Sequence, residues 1–131
     1  MSKIVTHQGW LSQHELYDGL DVLLVPSHQP DPGPLVVTEA MSAGVIVIGY
    51  PAGGIPFAIT DGESGMLIRE AADVGCRLAA LMATTGAFQR MRQTAHDHVI
   101  RMYSIESFHK SISDLYAVIL QGKNTMIDNH R

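Results

Sequence analysis

Two short apolar runs, residues 22–25 (VLLV) and 45–48 (VIVI), constrain the fold of this chain more than anything else in it. Neither alternates polar with apolar residues. Unbroken runs of β-formers suit strands covered on both faces, as in a parallel sheet. Parallel neighbours need a crossover, and the residues between the runs supply one. Pro26 closes the first run, and a loop with three prolines follows at 28–34 (HQPDPGP). The pattern then predicts a helix from about Pro34 to Ala43, stopped by Gly44.

The same alternation extends in both directions. Residues 3–6 (KIVT) read as a short strand, and Ser12 with Glu15 three positions on reads as a capping box. That short helix ends near Gly19. Residues 49–56 (GYPAGGIP) read as loop, with one helical turn at 56–60. Asp61-Gly62 marks a turn, and 66–68 (MLI) a short strand. The remainder reads as helical. Val74, Leu78, Leu81 and Met82 sit at helical spacing, Gly86 interrupts, and a helix runs roughly from Ala87 to Met102. Ser104 would cap a last helix whose stripe is Ile105, Phe108, Ile112, Leu115, Tyr116 and Ile119. Tyr103, Tyr116 and Phe108 are expected in the core, and residues after Gln121 are expected to fray. No internal repeat is visible.

Composition narrows the classes. With 131 residues the chain is one domain or a piece of one. Hydrophobic residues at 46% and charged residues at 17% exclude a disordered tail. Thirteen acids against nine bases give a net charge of −4, which argues against a general nucleic-acid binder. Cys76 is alone, so no internal disulfide can form, and it reads as a small apolar helix residue. The first ten residues contain no apolar signal-peptide core. Residues 40–60 carry no charge, but Gly44, Gly49, Pro51, Gly53, Gly54 and Pro56 break them, so no membrane span is expected. The expectation is a cytoplasmic protein.

In such a sheet the ligand site lies beyond the carboxyl ends of the strands. Three loops meet there: 7–11, 27–35 and 49–56. The helix starting near Pro34 has open first-turn amides, and its dipole favours an anion. Pro34 has no N–H, so the donors are Gly33, Leu35, Val36 and Val37. Asp31 and Glu39 could face the same cleft, where carboxylates accept hydrogen bonds from sugar hydroxyls. The plainer alternative makes Asp31 a turn former and Glu39 a solvated helix acid.

At this point an ordered series stands out: VLLVPS (22–27), Asp31-x7-Glu39, EAMSAG (39–44), VIVIG (45–49), AGGIP (52–56) and DGESGMLI (61–68). It resembles the donor-binding half of GT-B-fold glycosyltransferases of the large group-4 family. The resemblance implies an α/β fold with a Rossmann-like parallel sheet and flanking helices. The chain would supply about four strands of an incomplete GT-B C-terminal domain. That domain would cover residues 1–121, with 122–131 as a tail. The resemblance also implies the roles of residues. Glu39 would hydrogen-bond the ribose hydroxyls of a nucleotide-diphosphate sugar, and Asp31 the hydroxyls of the transferred sugar. The amides of Gly33, Leu35 and Val36 would hold the sugar edge and diphosphate, and Gly9, Trp10 and Leu11 would lie near the base. Transfer would retain anomeric configuration, with no metal and no cofactor.

Departures from the family pattern are specific. Asp31 is one methylene shorter than the usual Glu. Gly33-Pro34 replaces an aromatic-Gly pair, Ile46 replaces Pro, and Phe57 replaces a frequent Glu. No Lys or Arg occurs between Gly9 and Gly65, so the usual basic pair that neutralises the diphosphate has no counterpart. The family's acceptor domain and the first two strands of the donor domain are also without counterpart. The isolated chain is therefore expected to be inactive. With those strands unmatched, VLLV would keep an open apolar edge. Either residues 3–6 (KIVT) move in to pair with it within one molecule, or copies pair and bury it; the expectation is a homodimer, or docking to the N-terminal part of the enzyme. The competing reading is a non-catalytic module that self-associates or docks to a partner chain.

Other constellations are weak. His96 and His98 diverge on a helix, Ser64 lacks the glycine of a nucleophile elbow, and Ser27-His28 has no orienting acid at a recognisable spacing. There is no P-loop and no G-x-G-x-x-G.

Overall fold

The computed structural model describes residues 5–128, with side-chain surroundings for residues 5–12 and 14–121. Its elements run in the order α1 (Gln13–Tyr17), β1 (Val22–Val25), α2 (Leu35–Ser42), β2 (Ile46–Gly49), α3 (Ile55–Ala58), β3 (Met66–Leu67), α4 (Ala72–Ala83), α5 (Ala87–Tyr103) and α6 (Ile105–Asp128). The sheet is parallel, in the order β1-β2-β3. Val22 lies opposite Ile46 and Val25 opposite Gly49, while Ile48 lies opposite Met66. All three strands therefore point their carboxyl ends the same way.

β2 is the centre of the molecule. Val45 to Ile48 are fully buried, and successive side chains go to opposite faces. Val45 and Val47 join a cluster with Val37, Ala40 and Met41 of α2 and Ala95 and Val99 of α5. Ile46 and Ile48 join Met66, Ile68 and Met91, against which Val74, Leu81 and Phe88 pack. The apolar run is thus explained by helices on both faces.

The turn from α2 into β2 is a Schellman motif. The Gly44 amide donates to the Met41 carbonyl, and the Val45 amide to the Ala40 carbonyl. Gly44 sits at φ +73, which is why the helix stops there. The α1 capping box is also present, since Ser12 accepts from the Glu15 amide and Glu15 accepts from the Ser12 amide.

Several expectations need correction. The sheet has three strands among the described residues, where about four were expected. Residues 3–6 supply no strand as far as they are described: Val5 and Thr6 have no regular structure, and Lys3 and Ile4 lie outside the described residues. VLLV is not covered on both faces, because Leu24 is 48% exposed. β1 is the edge strand of the three, paired with β2 on one side. The α6 stripe is not core either. Ile105, Phe108, Ile112, Leu115, Tyr116 and Ile119 are exposed, and so is Tyr103 at the end of α5. The periodicity is real, but it reports an amphipathic helix and not its partner. α6 also continues to Asp128, past the expected end near Gln121. Cys76 is helical but exposed. Among the described residues no helix is long and apolar enough to cross a membrane.

Candidate functional site

The carboxyl ends of β1 and β2 open into two loops, 26–34 and 50–54. His28 and Tyr50 stack there, with ring centroids 4.1 Å apart. The loops are joined backbone to backbone. The Gly54 amide donates to the Asp31 carbonyl at 2.7 Å. A Cβ on Gly53 would lie within 3.0 Å of the Asp31 backbone, and one on Gly54 equally close to the Pro32 carbonyl. Gly53 also sits at φ +54. Only two glycines allow this approach, which explains the Gly-Gly pair physically.

That joint fixes the start of α2. Pro34 is its N-cap and provides no side-chain cap. The Val37 amide turns back to the Pro34 carbonyl at 3.0 Å. The Gly33 amide donates to Asp31 Oδ1 at 2.9 Å, an Asx turn. Of the four expected donors, two are therefore engaged within the loop. The amides of Leu35 and Val36 have no partner within the helix, as at any helix start. Asp31 is exposed, with one carboxylate oxygen holding the turn, so it is a turn former whatever else it does.

Glu39 lies one turn further on, half-buried, and its Oε2 accepts from the Tyr17 hydroxyl at 3.0 Å. Tyr17 is the last residue of α1 and belongs to the core. Burial, then the hydrogen bond and charge of Glu39, push its phenol up to about 12. Glu39 is thus not a solvated acid on the far side of α2. His14, Tyr17, Glu39, Ser42 and Ala43 line a cleft of about 300 Å³ between α1 and α2. A larger hollow of about 510 Å³ shares Ser42 and Ala43 with that cleft and is otherwise lined by Gly44 and residues of α5, among them Arg92 and His96. The α1–α2 cleft, though smaller, is the better candidate because it holds Glu39 together with the Tyr17 that donates to it.

The segment expected near a base leads into α1. Gly9 sits at φ +76 and its amide donates to His7 Nδ1 at 3.2 Å. Trp10 is 97% exposed, and Leu11 is half-buried beside the Ser12 cap. The bases lie elsewhere. Arg77 pairs with Asp61 at 2.6 Å, and Arg92 binds the Gly44 carbonyl and Asp21. His96 reaches the Ser42 carbonyl and His98 faces Arg101, so the two imidazoles serve different partners. Ser64 is buried and accepts from the Thr60 amide, a structural role in the turn before β3.

Residues 2–98 match the family described as glycosyl transferases group 1. The chain belongs to that family. It is similar to the D-inositol 3-phosphate glycosyltransferase of Streptomyces bingchenggensis, at 30% identity over 99% of this chain and 29% of that protein. The protein of the same name from Corynebacterium kroppenstedtii is 34% identical over 77% of this chain and 22% of its own length. The chain therefore spans less than a third of these relatives. Among solved structures, Anabaena HepE in complex with UDP-glucose superposes with a TM-score of 0.69 at 19% identity, covering 81% of this chain and 30% of HepE. The C-terminal domain of the group 1 protein LpcC from Francisella tularensis gives a TM-score of 0.60 at 28% identity, over 70% of this chain and 47% of that one. The fold is that of a glycosyltransferase C-terminal domain, Rossmann-like and α/β.

Within this family two features escaped the sequence reading. Tyr17 is 22 positions from Glu39, and no local pattern links them. The backbone joint between 31–32 and 53–54 was visible only as a Gly-Gly pair, with nothing to say what it approaches.

Proposed function

We propose that this chain forms the donor-binding portion of a retaining, metal-free glycosyltransferase that takes a nucleotide-diphosphate sugar. The observation that supports this is the open first turn of α2 beside Asp31 at the carboxyl end of β1, with Glu39 one turn further along the same helix. The open amides of Leu35 and Val36 suit the diphosphate. Its charge grows as the glycosidic bond breaks, and fixed donors aimed at it lower that barrier. Glu39 offers an acceptor for ribose hydroxyls, and Asp31 its remaining carboxylate oxygen for the sugar. Gly9, Trp10 and Leu11 would flank the base, with the exposed indole available to lie against it. The nucleotide sugar in the HepE complex supports this donor class. Acceptor recognition would fall to the region of such proteins outside the matched span.

Calorimetric titration with UDP, GDP and ADP tests the reading. At least one should bind, and Glu39→Ala should weaken it by about 1–3 kcal/mol, the scale for hydrogen bonds to a charged group. No heat from any of the three would overturn it.

Two exposed surfaces favour a second reading, that the chain also associates. Leu24 on the β1 edge and the apolar stripe of α6 both face away from the core. We propose a homodimer, or docking onto the rest of a longer enzyme.

A further inference from the structure

We infer that Tyr17 is a positioning residue for the nucleotide: its hydroxyl holds Glu39 so that one carboxylate oxygen stays turned to the cleft between α1 and α2. The inference rests on the proposed donor site and adds a residue to it. A carboxylate has two oxygens and about four acceptor positions. Tyr17 donates to Oε2 at 3.0 Å, and no other donor to Glu39 is found among the described residues. Oε1 is therefore left for an incoming hydroxyl. A free Glu side chain on a helix samples several rotamers, and fixing it before the ligand arrives removes that entropy from binding.

Tyr17 is suited to the task. Its ring is packed in the core with Val37, Ala40 and Met41, so the hydroxyl projects from a rigid base. α1 itself is anchored by the Ser12–Glu15 capping box. Glu39 lines the cleft together with His14 and Ser42, and the hollow of about 300 Å³ has room for a pentose. Two vicinal hydroxyls can share one carboxylate, whereas a deoxy sugar leaves it unpaired. The pair should therefore favour ribonucleotides over dideoxynucleotides.

The test is titration of the full chain with UDP and with 2′,3′-dideoxy-UDP, repeated with the guanine and adenine pairs. Wild type should prefer the ribonucleotide. Tyr17→Phe keeps the ring in the core and removes only the hydroxyl. It should lower ribonucleotide affinity by about 3- to 10-fold and leave the dideoxynucleotide unchanged. In the Glu39→Ala background, Tyr17→Phe should change neither. Equal losses for both ligands would mean a packing role only and overturn the inference. So would an unchanged ratio in Tyr17→Phe beside a reduced one in Glu39→Ala, which would leave the donor site itself standing. Failure of the wild-type chain to bind any of these nucleotides would overturn the donor site and this inference with it. If Tyr17→Phe does not fold, 3,5-difluorotyrosine at position 17 retains the shape and ionises nearer neutrality. The ratio should then fall as pH rises through that ionisation, and a ratio independent of pH would again overturn the inference.

Discussion

Gly53 and Gly62 both lie in the left-handed region, at φ +54 and φ +80, but in different surroundings. A Cβ at Gly62 meets nothing within 4 Å, whereas one at Gly53 meets the Asp31 backbone. Gly62→Ala should therefore cost only conformational strain, about 1–2 kcal/mol. Gly53→Ala carries the same strain and must also push the 26–34 and 50–54 loops apart. Its cost should be clearly larger, and nucleotide binding should go with it. Urea unfolding of the two variants checks this, and equal losses would contradict the joint. Tyr17 supplies a second residue-level prediction. Its folded pKa of about 12 stands above the ordinary 10.0. The folded state thus holds the phenolic proton more tightly than the unfolded chain does. The resulting stabilisation is complete below pH 10.0 and is lost as pH rises through about 12. The stability gap between wild type and Tyr17→Phe should shrink over that window, and a gap independent of pH would argue against the pairing. Asp61 works in the opposite sense. Burial raises its pKa, but the Arg77 hydrogen bond, the Leu67 amide and the Arg77 charge outweigh this and hold it below 3.8. What it adds near β3 is present above that pH and fades as acid protonates it.

At the scale of elements, the sequence was readable where local chemistry decides the outcome. The α1 cap, the α2 stop at Gly44 and the buried β2 are local matters of side-chain oxygens, a positive φ and an unbroken apolar run. VLLV carries the same kind of run as VIVI, yet β2 has neighbours on both sides and β1 on one. Nothing within four residues encodes that difference. α6 shows the same limit, because a stripe at helical spacing states that a helix has an apolar face and is silent about what covers it. The site divides likewise. Asp31 and Glu39 could be picked out as candidates by spacing, whereas the Tyr17 contact needed the fold. The uncovered β1 edge and α6 stripe make a prediction. If copies associate through them, Leu24→Lys or Ile112→Glu should shift light scattering toward monomer while the far-ultraviolet circular dichroism stays unchanged. A wild-type chain that is monodisperse and monomeric at high concentration would rule the homodimer out.

For the whole molecule, the cations are the deciding matter. Between Gly9 and Gly65 there is no Lys or Arg, and Arg77 and Arg92 are tied to Asp61, Asp21 and backbone carbonyls. Under the proposed role, the first turn of α2 would offer a departing diphosphate backbone amides and no Lys or Arg from residues 9–65. The chain by itself should therefore show no sugar transfer from any nucleotide-diphosphate sugar it binds, and turnover in a product assay would refute the assignment of a donor-binding role without phosphate cations. The joint between 31–32 and 53–54 has one more consequence. It is made between main chains, so it is indifferent to what most of the surrounding side chains are. Exposed rim side chains such as Gln29 and Phe57 take no part in it, so exchanging them should leave the spacing of the two loops as it is. Under the proposed donor role, preference for one sugar over another would then drift by point substitution at the rim, each change tried on a holder whose dimensions are already set.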